Sequence, residues 1–129
     1  MSSVRQTYVA VVDDDESVCR ALGRLLRVSG MQPVTYLSAE AFLADTKRPR
    51  FDCLVFDIQL GGMSGIELHC QLNASGSTIR VIYVTAHDEP ATREAAQAAG
   101  CAAYFRKTAP SEALLEAIRC AANLKQDQT

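Results

Sequence analysis

The sequence predicts an α/β domain in which helices cover both faces of one parallel five-stranded sheet. Short apolar runs without alternation, typical of strands buried on both faces, recur along the 129 residues. Between them lie segments whose apolar residues follow a helical period, joined by short connections. This length suits one domain with a real core, so we expect one domain over residues 1–129, with its core at about 7–124.

The composition is that of an ordinary globular protein. Hydrophobic residues make up 48% and charged residues 22%, and the net charge of −2 does not favour a nucleic-acid surface on this domain. No apolar run approaches the roughly 20 residues of a membrane span, and the N-terminus lacks the apolar region of a signal peptide. The five cysteines are scattered along the chain, with no Cys-x-x-Cys motif and no Cys/His spacing typical of a zinc site. We therefore expect a cytoplasmic protein, away from membranes, with reduced and mostly buried thiols.

The first half of the chain gives three strands and two helices. Tyr8–Val12 is the first strand, and Asp14 or Asp15 is expected to cap the helix after it, which Gly30 ends. The apolar stripe predicted for this helix is Val18, Ala21, Leu22, Leu25 and Leu26. Residues 33–36 form an edge strand because Pro33 cannot donate to a ladder. Ser38 then caps a helix bearing Ala39, Phe42 and Leu43, and residues 53–56 form the third strand.

The second half continues the alternation. Ser64 opens a helix through Leu68 and Leu72, and residues 79–84 form the fourth strand. Residues 90–99 form a helix with Pro90 in its first turn and Gly100 after its end, and residues 101–105 form the fifth strand. Pro110 opens the last helix, whose predicted buried side is Leu114, Leu115, Ile118, Ala121 and Ala122.

Polar residues collect where the strands end. Right-handed crossovers favour a doubly wound, flavodoxin-like sheet in the order 2-1-3-4-5, in which strands 1, 3, 4 and 5 have adjacent carboxyl ends. The first strand ends at Asp13 and Asp14, the third at Asp57, the fourth at Thr85 and the fifth at Lys107. Taken singly, each residue is explained as a helix cap, a turn residue or a solvated charge. Together they predict one crevice.

Three crowded carboxylates call for a cation. Each close pair costs about 1–4 kcal/mol at effective dielectric constants between about 80 and 20. Ligands that are all oxygen favour Mg²⁺ over zinc or copper. A pocket holding Mg²⁺ and a lysine is electropositive and suits a phosphoryl group, with Thr85 as a further donor. A carboxylate in that pocket can be the nucleophile and form an aspartyl phosphate.

Six short motifs follow one another in order along almost the whole chain. They are Val11-Val12-Asp13-Asp14, Leu54-Val55-Phe56-Asp57, Met63-Ser64-Gly65, Ile82-Tyr83-Val84-Thr85-Ala86, Ala99-Gly100 and Tyr104-Phe105-Arg106-Lys107. Together they resemble the receiver domain of two-component response regulators, a CheY-like domain. Residues 38–43, Ser-Ala-Glu-Ala-Phe-Leu, are most similar to the FixJ-type subgroup.

This resemblance implies a role for each matching residue. Asp57 is then the phosphate acceptor and Lys107 bonds the phosphoryl oxygens. Asp13 and Asp14 hold Mg²⁺ together with Asp57 and the backbone carbonyl of Gln59. Thr85 and Tyr104 form the switch pair, and Ala86 stays small so that the phosphoryl donor can enter.

The resemblance also implies partners. A sensor histidine kinase supplies the phosphoryl group, and the only reactions are self-phosphorylation and autodephosphorylation. Activation changes the face made by the fourth helix, the fifth strand and the fifth helix, through which a homodimer can form. FixJ-type receivers usually precede a DNA-binding output domain, so transcription regulation is a further expectation.

The chain departs from the family pattern at three places. Gly61-Gly62 replaces a segment that often contains proline, so that loop should be more mobile. Gln59 and His87 occupy the two variable positions beside the site, where the resemblance implies control of hydrolysis, although a solvated loop histidine explains His87 equally well. Thr108 follows Lys107 where proline is usual, and we predict a trans bond there because a cis non-proline bond costs roughly 2.5–4 kcal/mol.

Three alternatives belong to other classes. A haloacid-dehalogenase-type phosphatase also uses a strand-end aspartate and Mg²⁺, but it needs an acid two residues later, where this chain has Gln59. A nucleotide-binding module would need a glycine-rich phosphate motif that the chain lacks. A receiver-like docking module that takes no phosphate also stays open.

Overall fold

The computed structural model describes residues 6–86 and 88–123, which form five strands and five helices in strict alternation. The sheet is parallel in the predicted order β2-β1-β3-β4-β5. The elements in chain order are β1 (Tyr8–Val12), α1 (Glu16–Val28), β2 (Gln32–Tyr36), α2 (Ala39–Ala44), β3 (Cys53–Phe56), α3 (Gly65–Ala74), β4 (Val81–Thr85), α4 (Pro90–Ala98), β5 (Ala103–Arg106) and α5 (Ser111–Asn123).

The core lies in two layers, one on each face of the sheet. Successive residues of β1 point to opposite faces, so Ala10 and Val12 join one cluster while Val9 and Val11 join the other. The first cluster includes buried residues of α2, α3 and α4, and the second includes buried residues of α1 and α5. The predicted two-sided cover is therefore confirmed.

The ends of the last two strands differ from the prediction. β4 begins at Val81 rather than at residue 79 and includes Thr85, and β5 runs from Ala103 to Arg106 rather than over 101–105. Ile79 and Cys101 pack against the core as half-buried residues, which explains why the apolar pattern extended the predicted strands too far. An apolar side chain beside a strand need not belong to its ladder.

Helix α1 buries only part of the predicted apolar stripe. Cys19, Gly23 and Leu26 are its buried residues, whereas Ala21 is exposed. The remaining predicted residues, Val18, Leu22 and Leu25, are half-buried and line an open groove of about 550 Å³ toward α5. The apolar stripe is thus divided between the sheet and this groove. On α5 all five residues predicted to be buried are buried.

The helix ends follow the predicted capping chemistry. Of the two candidates for α1, Asp15 is the N-cap and accepts a hydrogen bond from the Ser17 N–H at 2.9 Å. Ser38 caps α2, and Ser64 forms a capping box with Glu67 at the start of α3. Gly30 and Gly100 have φ values of 86° and 91°, as residues that end helices in the left-handed region.

Three smaller predictions are also tested. The five cysteines are free, but Cys70 and Cys120 are exposed, so the expectation of mostly buried thiols is wrong. The Lys107–Thr108 bond is trans, as predicted. Among the helices of the described residues, none has the length and apolar character needed to cross a bilayer.

Candidate functional site

The acidic cluster lies at the carboxyl ends of β1 and β3. The Asp57 N–H donates to the Val12 carbonyl at 2.9 Å, and the Asp13 N–H donates to the Tyr36 carbonyl at 3.0 Å. These bonds extend the pairing of the strands by one residue and place Asp13 and Asp57 side by side. With Asp14, they offer carboxylate oxygens that all lie within 4.8 Å of one another.

Lys107 places its ammonium between the two buried carboxylates. The backbone N–H of Lys107 donates to the Thr85 carbonyl at 3.0 Å, and this bond holds the turn after β5 against the end of β4. Its Nζ lies 3.0 Å from Asp13 Oδ2 and 3.2 Å from Asp57 Oδ2. Burial lowers the pKa of Lys107, but the hydrogen bond to Asp13 and the attraction of Asp57 outweigh it, so the pKa lies above its ordinary value of 10.5.

Asp13 is the most strongly enclosed of the three carboxylates. It is 2% exposed, against 6% for Asp57, while Asp14 is exposed. Burial raises the pKa of Asp13, and the Asp15 N–H donated to its Oδ1 at 2.9 Å opposes that rise only in part. Asp13, Asp14 and Asp57 could hold a metal ion, and their all-oxygen donor set suits Mg²⁺.

The other predicted site residues lie on β4, on β5 and in the segments that follow β3 and β4. Thr85 is the last residue of β4 and is fully buried, and Ala86 after it is exposed. Tyr104 is half-buried in β5, beside Tyr83 in the ladder. Gln59 is exposed, and its N–H lies 3.3 Å from Asp57 Oδ1. His87 lies outside the described residues.

Sequence reasoning missed a charged cluster beside Tyr104. Asp88 accepts hydrogen bonds from both nitrogens Nε and Nη2 of Arg93 and from Arg106 Nε, at 3.0–3.2 Å. The hydrogen bonds from Arg93 hold the pKa of Asp88 below its ordinary value. The Arg93 guanidinium lies 4.6 Å from the centre of the Tyr104 ring. No motif in the sequence pairs these residues, because the contacts join three different segments.

Comparison with known proteins identifies the family of this chain. Residues 9–119 match the family model described as the response regulator receiver domain. Response regulator protein TodT of Pseudomonas putida is 34% identical over 126 residues, which are 98% of this chain and 56% of TodT. Transcriptional regulatory protein FixJ of Azorhizobium caulinodans is 33% identical over 120 residues, which are 93% of this chain and 57% of FixJ. The chain thus spans about half the length of these curated relatives.

Solved structures agree with the fold. The crystal structure of FixJ-N has a TM-score of 0.84 and 32% identity, covering 93% of this chain and 96% of that one. A CheY-like receiver domain protein from Methanospirillum hungatei JF-1 has a TM-score of 0.88, with coverage of 97% and 100%. Its identity is 24%, so this second likeness concerns the fold alone.

Proposed function

Because the chain belongs to the response regulator receiver domain family, we propose that Asp57 accepts a phosphoryl group from a sensor histidine kinase in a Mg²⁺-dependent reaction. The observation that carries this proposal is the position of Lys107. Its ammonium contacts both Asp13 and Asp57, within a cluster that offers a third carboxylate. A nucleophile, a fixed cation and a set of oxygen ligands therefore share one crevice.

The transfer exchanges one bond to phosphorus for another. A carboxylate oxygen of Asp57 attacks the phosphorus of a phosphohistidine, the P–N bond breaks, and its electron pair stays on the imidazole nitrogen. Asp13, Asp14, Asp57 and the Gln59 carbonyl would hold Mg²⁺, which supplies positive charge next to the transferred group. Lys107 moves its hydrogen bond from Asp57 to a phosphoryl oxygen. No outside substrate is turned over; autodephosphorylation by water resets the site.

The new phosphoryl group then acts as a switch. It adds close to two negative charges beside the end of β4. The Thr85 hydroxyl donates to a phosphoryl oxygen, and Tyr104 moves into the space that Thr85 leaves. Ala86 keeps the entrance open because it has no long side chain. Gln59 and His87 adjust how fast water hydrolyses the aspartyl phosphate.

The output follows from the changed face formed by α4, β5 and α5. Through it the activated receiver forms a homodimer. Residues 1–129 act as a cytoplasmic receiver domain that itself binds neither nucleic acid nor membrane. Since the match covers only 56% of TodT and 57% of FixJ, and FixJ is named a transcriptional regulatory protein, we propose that the receiver controls transcription through an output domain.

Acetyl phosphate tests the acceptor directly. The protein is incubated with acetyl phosphate, with and without Mg²⁺, and its intact mass is measured. We expect one added phosphoryl group that requires Mg²⁺ and is lost in Asp57→Asn. Asp52→Asn is the matched control, because Asp52 lies at the other end of β3 and accepts the Tyr8 N–H, which an asparagine oxygen can also accept. A label that survives Asp57→Asn would refute the assignment.

A further inference from the structure

The loop between β3 and α3 is held by a side chain from a different element. Glu40 lies in the first turn of α2, and its Oε2 accepts the Met63 N–H at 2.9 Å. The two residues are 23 positions apart, and the contact is exposed to solvent. This hydrogen bond lowers the pKa of Glu40, as expected for a carboxylate that accepts a backbone N–H in its charged form.

Gly62 leaves the space in which the Glu40 carboxylate lies. A Cβ at residue 62 would be 2.8 Å from Glu40 Oε2 and 3.2 Å from Oε1, whereas a Cβ at Gly61 would meet nothing within 4 Å. The positive-φ glycines of the described residues are Gly30, Gly76 and Gly100, so Gly62 is not required by its backbone conformation. The absence of a side chain at this position serves the contact with Glu40.

The anchored loop carries a residue of the proposed metal site. Gln59 begins it, with its N–H on Asp57 Oδ1, and the Gly62 N–H donates to the Leu60 carbonyl at 2.9 Å. Met63 ends the same short segment, so the bond to Glu40 restrains the whole turn. A charged acceptor makes such a bond roughly twice as strong as a neutral one.

We propose that Glu40 is a positioning residue for the phosphorylation site: its carboxylate holds Met63 so that the Gln59 backbone carbonyl faces the Mg²⁺ position, and Gly62 provides the room. This inference rests on the proposed function. It also changes the expectation for the Gly61-Gly62 pair. Gly62 leaves room for the Glu40 carboxylate. The hydrogen bond from this residue of α2 then restrains the loop, as a proline within the loop would do in other receivers.

The experiment compares Glu40→Ala with Glu40→Gln, whose amide oxygen can still accept the hydrogen bond. Glu116→Ala removes an exposed glutamate of α5 and serves as the control. The Mg²⁺ dissociation constant is measured by calorimetry, and the exchange rate of the Met63 amide proton by NMR without metal. Phosphorylation by acetyl phosphate is followed over a range of Mg²⁺ concentrations.

In Glu40→Ala we expect faster exchange at Met63 and a Mg²⁺ dissociation constant raised about three- to tenfold, the size of one typical intramolecular hydrogen bond. Phosphorylation should need correspondingly more Mg²⁺ but reach a similar rate at saturation. Glu40→Gln should recover part of the affinity, and Glu116→Ala should match the wild type. A merely structural role would lower stability without moving the Mg²⁺ dependence.

Gly62→Ala tests the other half of the proposal. The methyl group would push aside the flexible end of Glu40, so this variant should weaken Mg²⁺ binding as Glu40→Ala does, and the double variant should be no worse than either. Wild-type affinity in Glu40→Ala would overturn the inference alone. A wild-type protein that takes up neither Mg²⁺ nor a phosphoryl group would overturn the proposed function and the inference together.

Discussion

At the scale of single residues, the acidic crevice depends on one ammonium group. Lys107 lies within 3.2 Å of both buried carboxylates, so it offsets repulsion that would otherwise act between Asp13 and Asp57. The side chain is 23% exposed, which means that water screens part of this interaction. A metal ion in the proposed site would offset the same repulsion, so the loss of either cation should increase the effect of the other.

Lys107→Gln is expected to separate those tasks. Without Mg²⁺ the variant should unfold more easily, by roughly 1–3 kcal/mol, because two buried carboxylates lose their shared cation. Millimolar Mg²⁺ should then raise its melting temperature more than it raises that of the wild type. Thermal unfolding followed by circular dichroism measures both effects. Equal shifts in the two proteins would show that lysine and metal do not act on the same charges.

A second prediction for a single residue concerns Gly65, where no side chain fits. A Cβ there would lie 2.2 Å from the backbone carbonyl oxygen of Asp57, which cannot move away without moving the proposed phosphate acceptor. Gly65→Ala should therefore lower the free energy of unfolding by about 1–3 kcal/mol and slow phosphorylation. Gly61→Ala is the matched control, since its methyl group would meet nothing within 4 Å. Urea unfolding and mass measurement after acetyl phosphate treatment test this, and wild-type behaviour of Gly65→Ala would contradict it.

Residues at strand ends could be predicted, whereas contacts between side chains of distant segments could not. Asp13, Asp57 and Lys107 follow apolar runs, and a parallel sheet brings the ends of such runs together. The Glu40–Met63 bond depends on how α2 packs beside the loop, and no local pattern encodes that distance. The same holds for Asp88, which joins side chains from α4 and β5.

At the scale of elements, α3 and β4 share a buried polar contact that the apolar pattern did not reveal. His69 Nδ1 lies 2.8 Å from the Tyr83 hydroxyl, and the two residues are 4% and 0% exposed. The burial of His69 lowers its pKa below the ordinary 6.5. The His69 imidazole is therefore harder to protonate in the folded protein than in the unfolded chain.

The stability of the α3–β4 pair should consequently depend on pH. As the pH falls below about 6.5, the unfolded chain gains a proton on His69 before the folded protein does, so the free energy of unfolding decreases. The slope reaches at most about 1.4 kcal/mol per pH unit and ends below the folded pKa. Urea unfolding of the wild type and His69→Gln between about pH 7.5 and 5.5 measures the difference. A difference that stays constant over that range would exclude His69 as the source.

At the scale of the whole molecule, topology was the most predictable feature and helix orientation the least. Five apolar runs and the handedness of crossovers lead to the observed strand order. The apolar residues of α1 were predicted to form one stripe, but part of that stripe faces the groove toward α5, which also leaves Val28 82% exposed. Periodicity locates an apolar face without stating which neighbour covers it.

The α4–β5–α5 face carries the last prediction, because Tyr104 lies there under the guanidinium of Arg93. If activation moves Tyr104 inward, that contact is lost, and a cation–π contact at an exposed site contributes about 0.5–1 kcal/mol. Arg93→Ala should then lower the beryllofluoride concentration that shifts the Tyr104 ring signals by about two- to fivefold. Arg119→Ala, an exposed arginine of α5, is the control.

Sedimentation of the same samples with Mg²⁺ tests whether the switched face associates. We expect monomers without beryllofluoride and dimers with it, at a lower concentration in Arg93→Ala than in the wild type. Arg93 is itself part of the α4–β5–α5 face. If the Tyr104 signals of Arg93→Ala shift at a lower beryllofluoride concentration while its dimer is weaker than that of the wild type, Arg93 contributes both to the switch and to the dimer interface. A monomer whose Tyr104 signals have fully shifted would remove dimerisation as the output, since the switch would then have moved without creating an interface.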